Sequence, residues 1–144
     1  NQPTPTPLTT PPLPPPPHLP PMKRVLDVGN CGPDHAAIKQ YLAGQFDCEV
    51  LQAHGEEDAL AALRGGGVDL VLINRKLDRD YSDGVDILRR IKADPDLAAT
   101  PVMLVTNYAD HQDAAVALGA LRGLGKLELG RPEPRARLAP VLEA

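Results

Sequence analysis

From Lys23 onward, short apolar runs alternate with segments whose apolar residues recur at helical spacing. This alternation restricts the fold more than any other feature of the chain. Strands separated by helix-length segments pair in parallel, and each crossover helix covers a face of the sheet. The run Val68-Asp69-Leu70-Val71-Leu72-Ile73 reads as a central strand, apolar because both of its faces are covered. It ends at Asn74, before a polar loop that reaches Asp83-Gly84. A polar residue at the carboxyl end of such a strand stands where open α/β folds keep their chemistry.

The other elements follow in order. Val25 to Val28 reads as a first strand. Ile38, Tyr41, Leu42 and Phe46 share one helical face, with Pro33 acceptable in the opening turn. Glu49-Val50-Leu51 is a weaker second strand. Glu56-Glu57-Asp58 puts acids at a helix amino end, Ala59, Leu60 and Leu63 supply its inner face, and Gly65-Gly66-Gly67 stops it. Val85, Leu88 and Ile91 give a third helix its buried stripe, ended by Asp94-Pro95. Pro101 leads into Val102 to Val105, a fourth buried strand, and Thr106 follows it. Ala114, Val116, Ala117 and Leu118 mark a fourth helix, and Leu121 to Lys126 holds a fifth strand. Leu138, Val141 and Leu142 belong to a last helix that Pro132, Pro134 and Pro140 interrupt. An interior proline costs a helix about 3 kcal/mol, so this helix is expected to be short, to start late or to break near Pro140. The pattern predicts a doubly wound parallel sheet of five strands and a single domain over residues 22–144.

Composition adds boundaries and exclusions. Residues 1–21 hold 11 prolines and no charged residue. They are expected to form a disordered, polyproline-like segment or linker, and Pro14 and Pro17 fit a PxxP spacing. Met22-Lys23-Arg24 would make an ordinary start to the strand that follows. Aromatic residues make up 3% of the chain, so packing must rest on Leu, Val, Ile and Ala. The net charge of −4 predicts no general attraction to nucleic acid or to an anionic membrane. No apolar stretch in the sequence reads as long enough to cross a bilayer, and no segment of it is expected to act as a secretory signal. Cys31 and Cys48 lie in separate segments and read as reduced thiols, which points to the cytoplasm. The four histidines lack metal-ligand spacing, and His35 and His111 are expected to be exposed near helix starts. There is no P-loop, GxGxxG or nucleophile elbow.

Six pieces in order carry a resemblance. Lys23-Arg24-Val25-Leu26 opens the first strand, and Pro33-Asp34-His35 starts a helix. Asp69 to Asn74 forms the central strand. Asp83-Gly84 leads to Leu88-Arg89-Arg90-Ile91, Pro101-Val102 runs to Thr106, and Gly119-Ala120, Leu124 and Lys126 follow. Over about residues 23–144 the chain resembles the receiver domain of bacterial two-component response regulators. The resemblance implies a flavodoxin-like receiver fold with strand order 2-1-3-4-5. It implies a pocket of Asn74, Gly29, Asn30, Thr106 and Lys126. In the family, an aspartate at the Asn74 position takes a phosphoryl group from a partner's histidine. Two acids at the end of the first strand hold Mg²⁺, and the hydroxyl and lysine contact the phosphoryl oxygens.

This chain departs at the acidic positions. Asn74 replaces the nucleophile, and an amide, neutral with a delocalised lone pair, makes no acyl phosphate at a useful rate. The acid pair maps to Gly29-Asn30, or to Asn30-Cys31 if anchored on Pro33, and neither register supplies a carboxylate. Mg²⁺ dehydrates reluctantly and favours charged oxygen, so its binding is expected to be weak or absent, with no other cofactor. A shifted register would bring Asp27 to the strand end; otherwise Asp27 lies within the strand and is paired or near its edge. Asp78 stands where the family has a proline, Asp83-Gly84 comes two residues late, Gly123 stands where an aromatic couples to the hydroxyl, and Leu127 replaces the proline after the lysine. Lys126, without its family acids, is expected to reach the Asn74 carbonyl oxygen, a loop acid such as Asp78, or solvent.

By resemblance, these departures imply a pseudo-receiver. It would be a non-enzymatic, cytoplasmic signalling module that binds a kinase-like or effector protein, or a second copy of itself, through its fourth helix, fifth strand and fifth helix. Asn107, Tyr108, His111, Leu121, Arg122, Leu127 and Leu129 fall in that region. The alternatives are a receiver that accepts a phosphoryl group through Cys31, Asp27 or Asp78, and one that holds a small anion near Lys126.

Overall fold

In the computed structural model, which describes residues 22–143, the strands are β1 (Lys23–Val28), β2 (Cys48–Ala53), β3 (Leu70–Asn74), β4 (Val102–Val105) and β5 (Leu121–Leu124). The proline-rich segment 1–21 and its PxxP motif lie outside the described residues. The strands form one parallel sheet ordered β2-β1-β3-β4-β5, as expected. The helices are α1 (Gly32–Gln45), α2 (Glu56–Arg64), α3 (Gly84–Ala93), α4 (Ala109–Ala117) and α5 (Pro132–Leu142).

Alternation along the strands divides the core into two halves. Leu26, Val28, Val71, Ile73, Val102 and Leu104 face α2, α3 and α4, where Leu60, Leu63, Leu88, Ile91 and Ala115 meet them. Val25, Leu70, Leu72, Met103 and Val105 face α1 and α5, against Ile38, Leu42, Leu138 and Leu142. The β3 residues Leu70 to Ile73 are fully buried, the environment their unbroken apolar run calls for. The α3 start is capped by Asp83, whose carboxylate accepts from the Val85 amide.

One expectation is corrected. The last helix neither starts late nor breaks: it runs from Pro132 through Pro140 to Leu142. Pro132 and Pro134 occupy the first turn, where a missing N–H removes no intrahelical bond. Pro140 lies in the last turn and removes one bond near the end. Burial of Leu138 and Leu142, at roughly 1.5–3 kcal/mol each, outweighs that loss. The short fifth strand lies inside the expected range, at Leu121–Leu124, and Lys126 opens a 3-10 turn over Lys126–Glu128. Between Met103↔Leu121 and Val105↔Leu124 the register of β4 and β5 shifts, because β5 carries an extra residue there.

Candidate functional site

The carboxyl ends of β1, β3 and β4 meet at one edge of the sheet. Gly29 and Asn30 follow β1, Asn74 is the last residue of β3, and Thr106 follows β4. Asn74, Thr106 and Lys126 share the lining of an open cleft of about 210 Å³, together with Arg75, Lys76, Asn107, Tyr108 and His111. Asn30 is not among the lining residues: it is fully buried, and its amide nitrogen donates to Asp27 Oδ1 at 2.5 Å.

Asn74 is fixed by its amide. Its Nδ2 donates to the Lys76 carbonyl at 2.7 Å and to the Gly29 carbonyl at 3.3 Å. The side chain therefore ties the loop after β1 to the loop after β3. A carboxylate has no hydrogen to donate at either place. The same two carbonyl oxygens, which a hard cation could otherwise use, are turned to the amide.

Beside Asn74, Leu77 packs over Gly29. Leu77 is almost fully buried, and a Cβ built on Gly29 would stand 2.3 Å from Leu77 Cδ2. The Gly29 φ of +78° independently favours glycine. The loop is held in this position by Asp78 N–H donating to Gly29 O (3.0 Å), Leu77 N–H to Ser82 O (2.9 Å) and Gly84 N–H to Arg75 O (2.7 Å). The space next to Gly29 is filled by the Leu77 side chain, which would have to shift to admit a side chain at position 29, where the positive φ already favours glycine.

Carboxylates do stand near the cleft, but from other places. Asp27, on the β1 face that carries Val25, is fully buried. Its second oxygen accepts from His35 Nδ1 at 2.7 Å. Burial pushes the Asp27 carboxyl above its usual range, against the opposing hydrogen bonds of His35 and Asn30 and the charges of His35 and Lys126. The sequence expectation that Asp27 lies inside the strand and is paired matches this arrangement. His35 is not the exposed residue expected: its side chain is mostly covered and serves Asp27 from the first turns of α1.

Lys126 takes a partner that sequence reasoning did not name. It donates to Asp34 Oδ2 at 2.7 Å, rather than to Asn74, Asp78 or solvent alone. That hydrogen bond holds the Asp34 carboxyl below its usual range. Both side chains are partly exposed, which keeps the pair modest in energy. Asp34 reaches the lysine because Pro33 and Asp34 open α1 beside the end of β5. Thr106 Oγ1 accepts from Tyr108 N–H at 3.3 Å and lies 3.3 Å from His111 Nδ1. His111 is half-buried at the cleft, again not the exposed residue expected.

The sequence profile described as "Response regulator receiver domain" matches residues 34–126, more than half of the chain. The chain belongs to the response regulator receiver domain family. Solved structures share its fold. A protein assigned as a response regulator from Chloroflexus aurantiacus J-10-fl superposes with a TM-score of 0.73 at 21% identity, over 85% of this chain and 99% of that one. The signal receiver domain of a DNA-binding response regulator from Colwellia psychrerythraea 34H gives 0.70 at 24%, over 85% and 99%. The Mn(2+)-bound form of the response regulator Rcp1 gives 0.67 at 24%, over 85% and 96%. At these identities the likeness is one of fold.

Within this receiver, the residues missed by sequence reasoning are Leu77, Asp34 and His35. Asp34 and His35 were visible only as a helix start, and what they bond comes from across the fold. Leu77 carried no sequence signal beyond being one apolar residue in a charged loop.

Proposed function

We propose that this receiver is a protein-interaction module of two-component-type signalling that does not accept a phosphoryl group. The observation supporting this reading is the state of Asn74. An amide stands at the acceptor position with both carbonyls around it engaged, and Leu77 covers the neighbouring Gly29. No carboxylate occurs at Gly29, Asn30 or Asn74, so a dication that favours charged oxygen finds a poor ligand set. Among the described residues, no group of three or more His, Cys, Asp or Glu could hold a metal. Two of the alternative acceptors have their own obstacles. Asp27 is buried and doubly hydrogen-bonded, and an Asp78 oxygen is itself buried.

The output would come from contact. Tyr108, Val116, Leu121 and Leu127 are exposed on α4, β5 and the turn before α5. Arg122, Arg131 and Arg137 line the groove between these elements, with Glu128. The partner would be a kinase-like or effector protein, or a second copy. No helix among the described residues is long and apolar enough to cross a membrane.

The test is incubation of the folded chain with acetyl phosphate and Mg²⁺, read by intact mass. The expected result is an unmodified mass; a phosphoryl adduct on the folded chain overturns the reading. A second reading has its own support. Arg75, Lys76 and Lys126 line the cleft, and although Lys126 pairs with Asp34 and Arg75 lies 3.9 Å from Asp83, three cations there suit a small oxyanion held without a covalent bond. Sulfate and phosphate at millimolar concentration would then raise the melting temperature, and an unchanged melting temperature removes that reading.

A further inference from the structure

Three polar side chains are fully or nearly buried among the described residues, and Gln112 is the one that α4 supplies. Its Nε2 donates to Leu104 O at 2.9 Å and approaches Thr106 O at 3.4 Å. Its Oε1 accepts from Gly123 N–H at 2.8 Å. Leu104 and Gly123 lie at the register shift between β4 and β5. The amide therefore bridges the two strands where the ladder between them is irregular, and it does so from the helix that covers them. Arg137 of α5 completes the arrangement by donating to Gly123 O at 2.8 Å. Both backbone groups of Gly123 are thus satisfied by side chains, one from α4 and one from α5.

Gly123 has no latitude. A Cβ there would stand 2.2 Å from Leu104 O and 3.0 Å from Leu104 N, so no side chain fits without moving backbone. Sliding α4 along β5 would take the amide away from a buried donor and a buried acceptor. Leaving such buried groups unpaired is unfavourable.

We infer that Gln112 is a positioning residue that clamps α4 to the β4–β5 irregularity, so that the α4–β5–α5 face holds one conformation and is presented without a gating step. None of the clamp's hydrogen bonds involves Asn74, and the clamp stands whether or not the cleft can be phosphorylated. It makes the face a constitutive surface, with Tyr108, Leu121 and Leu127 in fixed relation.

The experiment uses the ¹⁵N-labelled full chain and two variants. Backbone relaxation dispersion reads microsecond-to-millisecond motion, and hydrogen exchange reads the Gly123 amide. In the wild type, residues 109–124 are expected to show no more exchange broadening than β3. Gln112→Met keeps the length and removes both hydrogen bonds. It is expected to introduce dispersion along α4 and to speed exchange at Gly123 by roughly tenfold, the scale of one lost buried hydrogen bond. Gln112→Glu adds a readout that a space-filling role would not move. As a carboxylate it cannot donate to Leu104 O, and as a neutral acid it can donate there while accepting from Gly123. Its α4 dispersion should therefore fade as pH is lowered. Dispersion across α4 and β5 in the wild type, an unchanged Gly123 amide in the Met variant, or a Glu variant whose α4 motion ignores pH would each overturn the clamp. If the Met variant fails to fold, the wild type and the Glu variant decide.

Discussion

Restoring the missing carboxylate by Asn74→Asp should weaken the fold without creating an acceptor. The wild-type amide donates two hydrogen bonds, to Lys76 O at 2.7 Å and Gly29 O at 3.3 Å. A carboxylate can make neither, and it places negative charge against two carbonyl oxygens. Gly29 O keeps the Asp78 amide as a donor, so the loss there is partial. A net hydrogen bond is worth about 0.5–1.5 kcal/mol. Asn74 is half-buried and water can reach part of the site, so the expected cost is about 1–2 kcal/mol at neutral pH. With a urea slope of about 2 kcal/mol per molar, the midpoint should fall by about 0.5–1 M. Lowering the pH should recover part of the loss, because a protonated carboxyl regains one donor. Urea unfolding by circular dichroism checks the stability, and intact mass after acetyl phosphate and Mg²⁺ checks the chemistry. Gly29 and Asn30 still supply no acid, and Leu77 still covers Gly29, so no adduct is expected. An Asn74→Asp chain as stable as the wild type, or one that takes a phosphoryl group with no further change, would refute the reasoning.

The remaining predictions concern stability. Burial raises the Asp27 carboxyl in the folded state, so its contribution to stability is fully present below the unfolded value near 3.8 and is lost as pH rises through the higher folded value. Asp27→Asn should therefore gain stability relative to wild type as pH climbs from below 4 toward neutrality, and denaturant midpoints at several pH values that move in parallel would contradict this. Pro140→Ala restores one N–H in the last turn of α5 at an exposed position. It should stabilise by about 0.5–2 kcal/mol, less than the full interior penalty because the proline also restrains the unfolded chain; a lower thermal midpoint would count against it.

Much of this receiver was legible in its sequence, and the parts that were not share a cause. The alternation of apolar runs and helical stripes determined the five strands, the five helices and the position of Asn74 at a strand end, because burial on both sheet faces leaves a local and periodic imprint. Asp83-Gly84 as the end of the loop and Gly65-Gly66-Gly67 as a helix stop are local as well. The last helix was misjudged because three prolines were weighed by propensity, while their effect depends on which turn each occupies and on what Leu138 and Leu142 bury. The lysine's partner, the imidazole on Asp27, the leucine over Gly29 and the glutamine across the strand irregularity each join residues distant in the chain or lying on different elements. The sequence determined by itself that the acceptor position holds an amide, since chemical identity travels with the residue. Only the tertiary structure decided that the surroundings are built to fit that amide, because hydrogen-bond partners and filled space arise when separate segments are brought together.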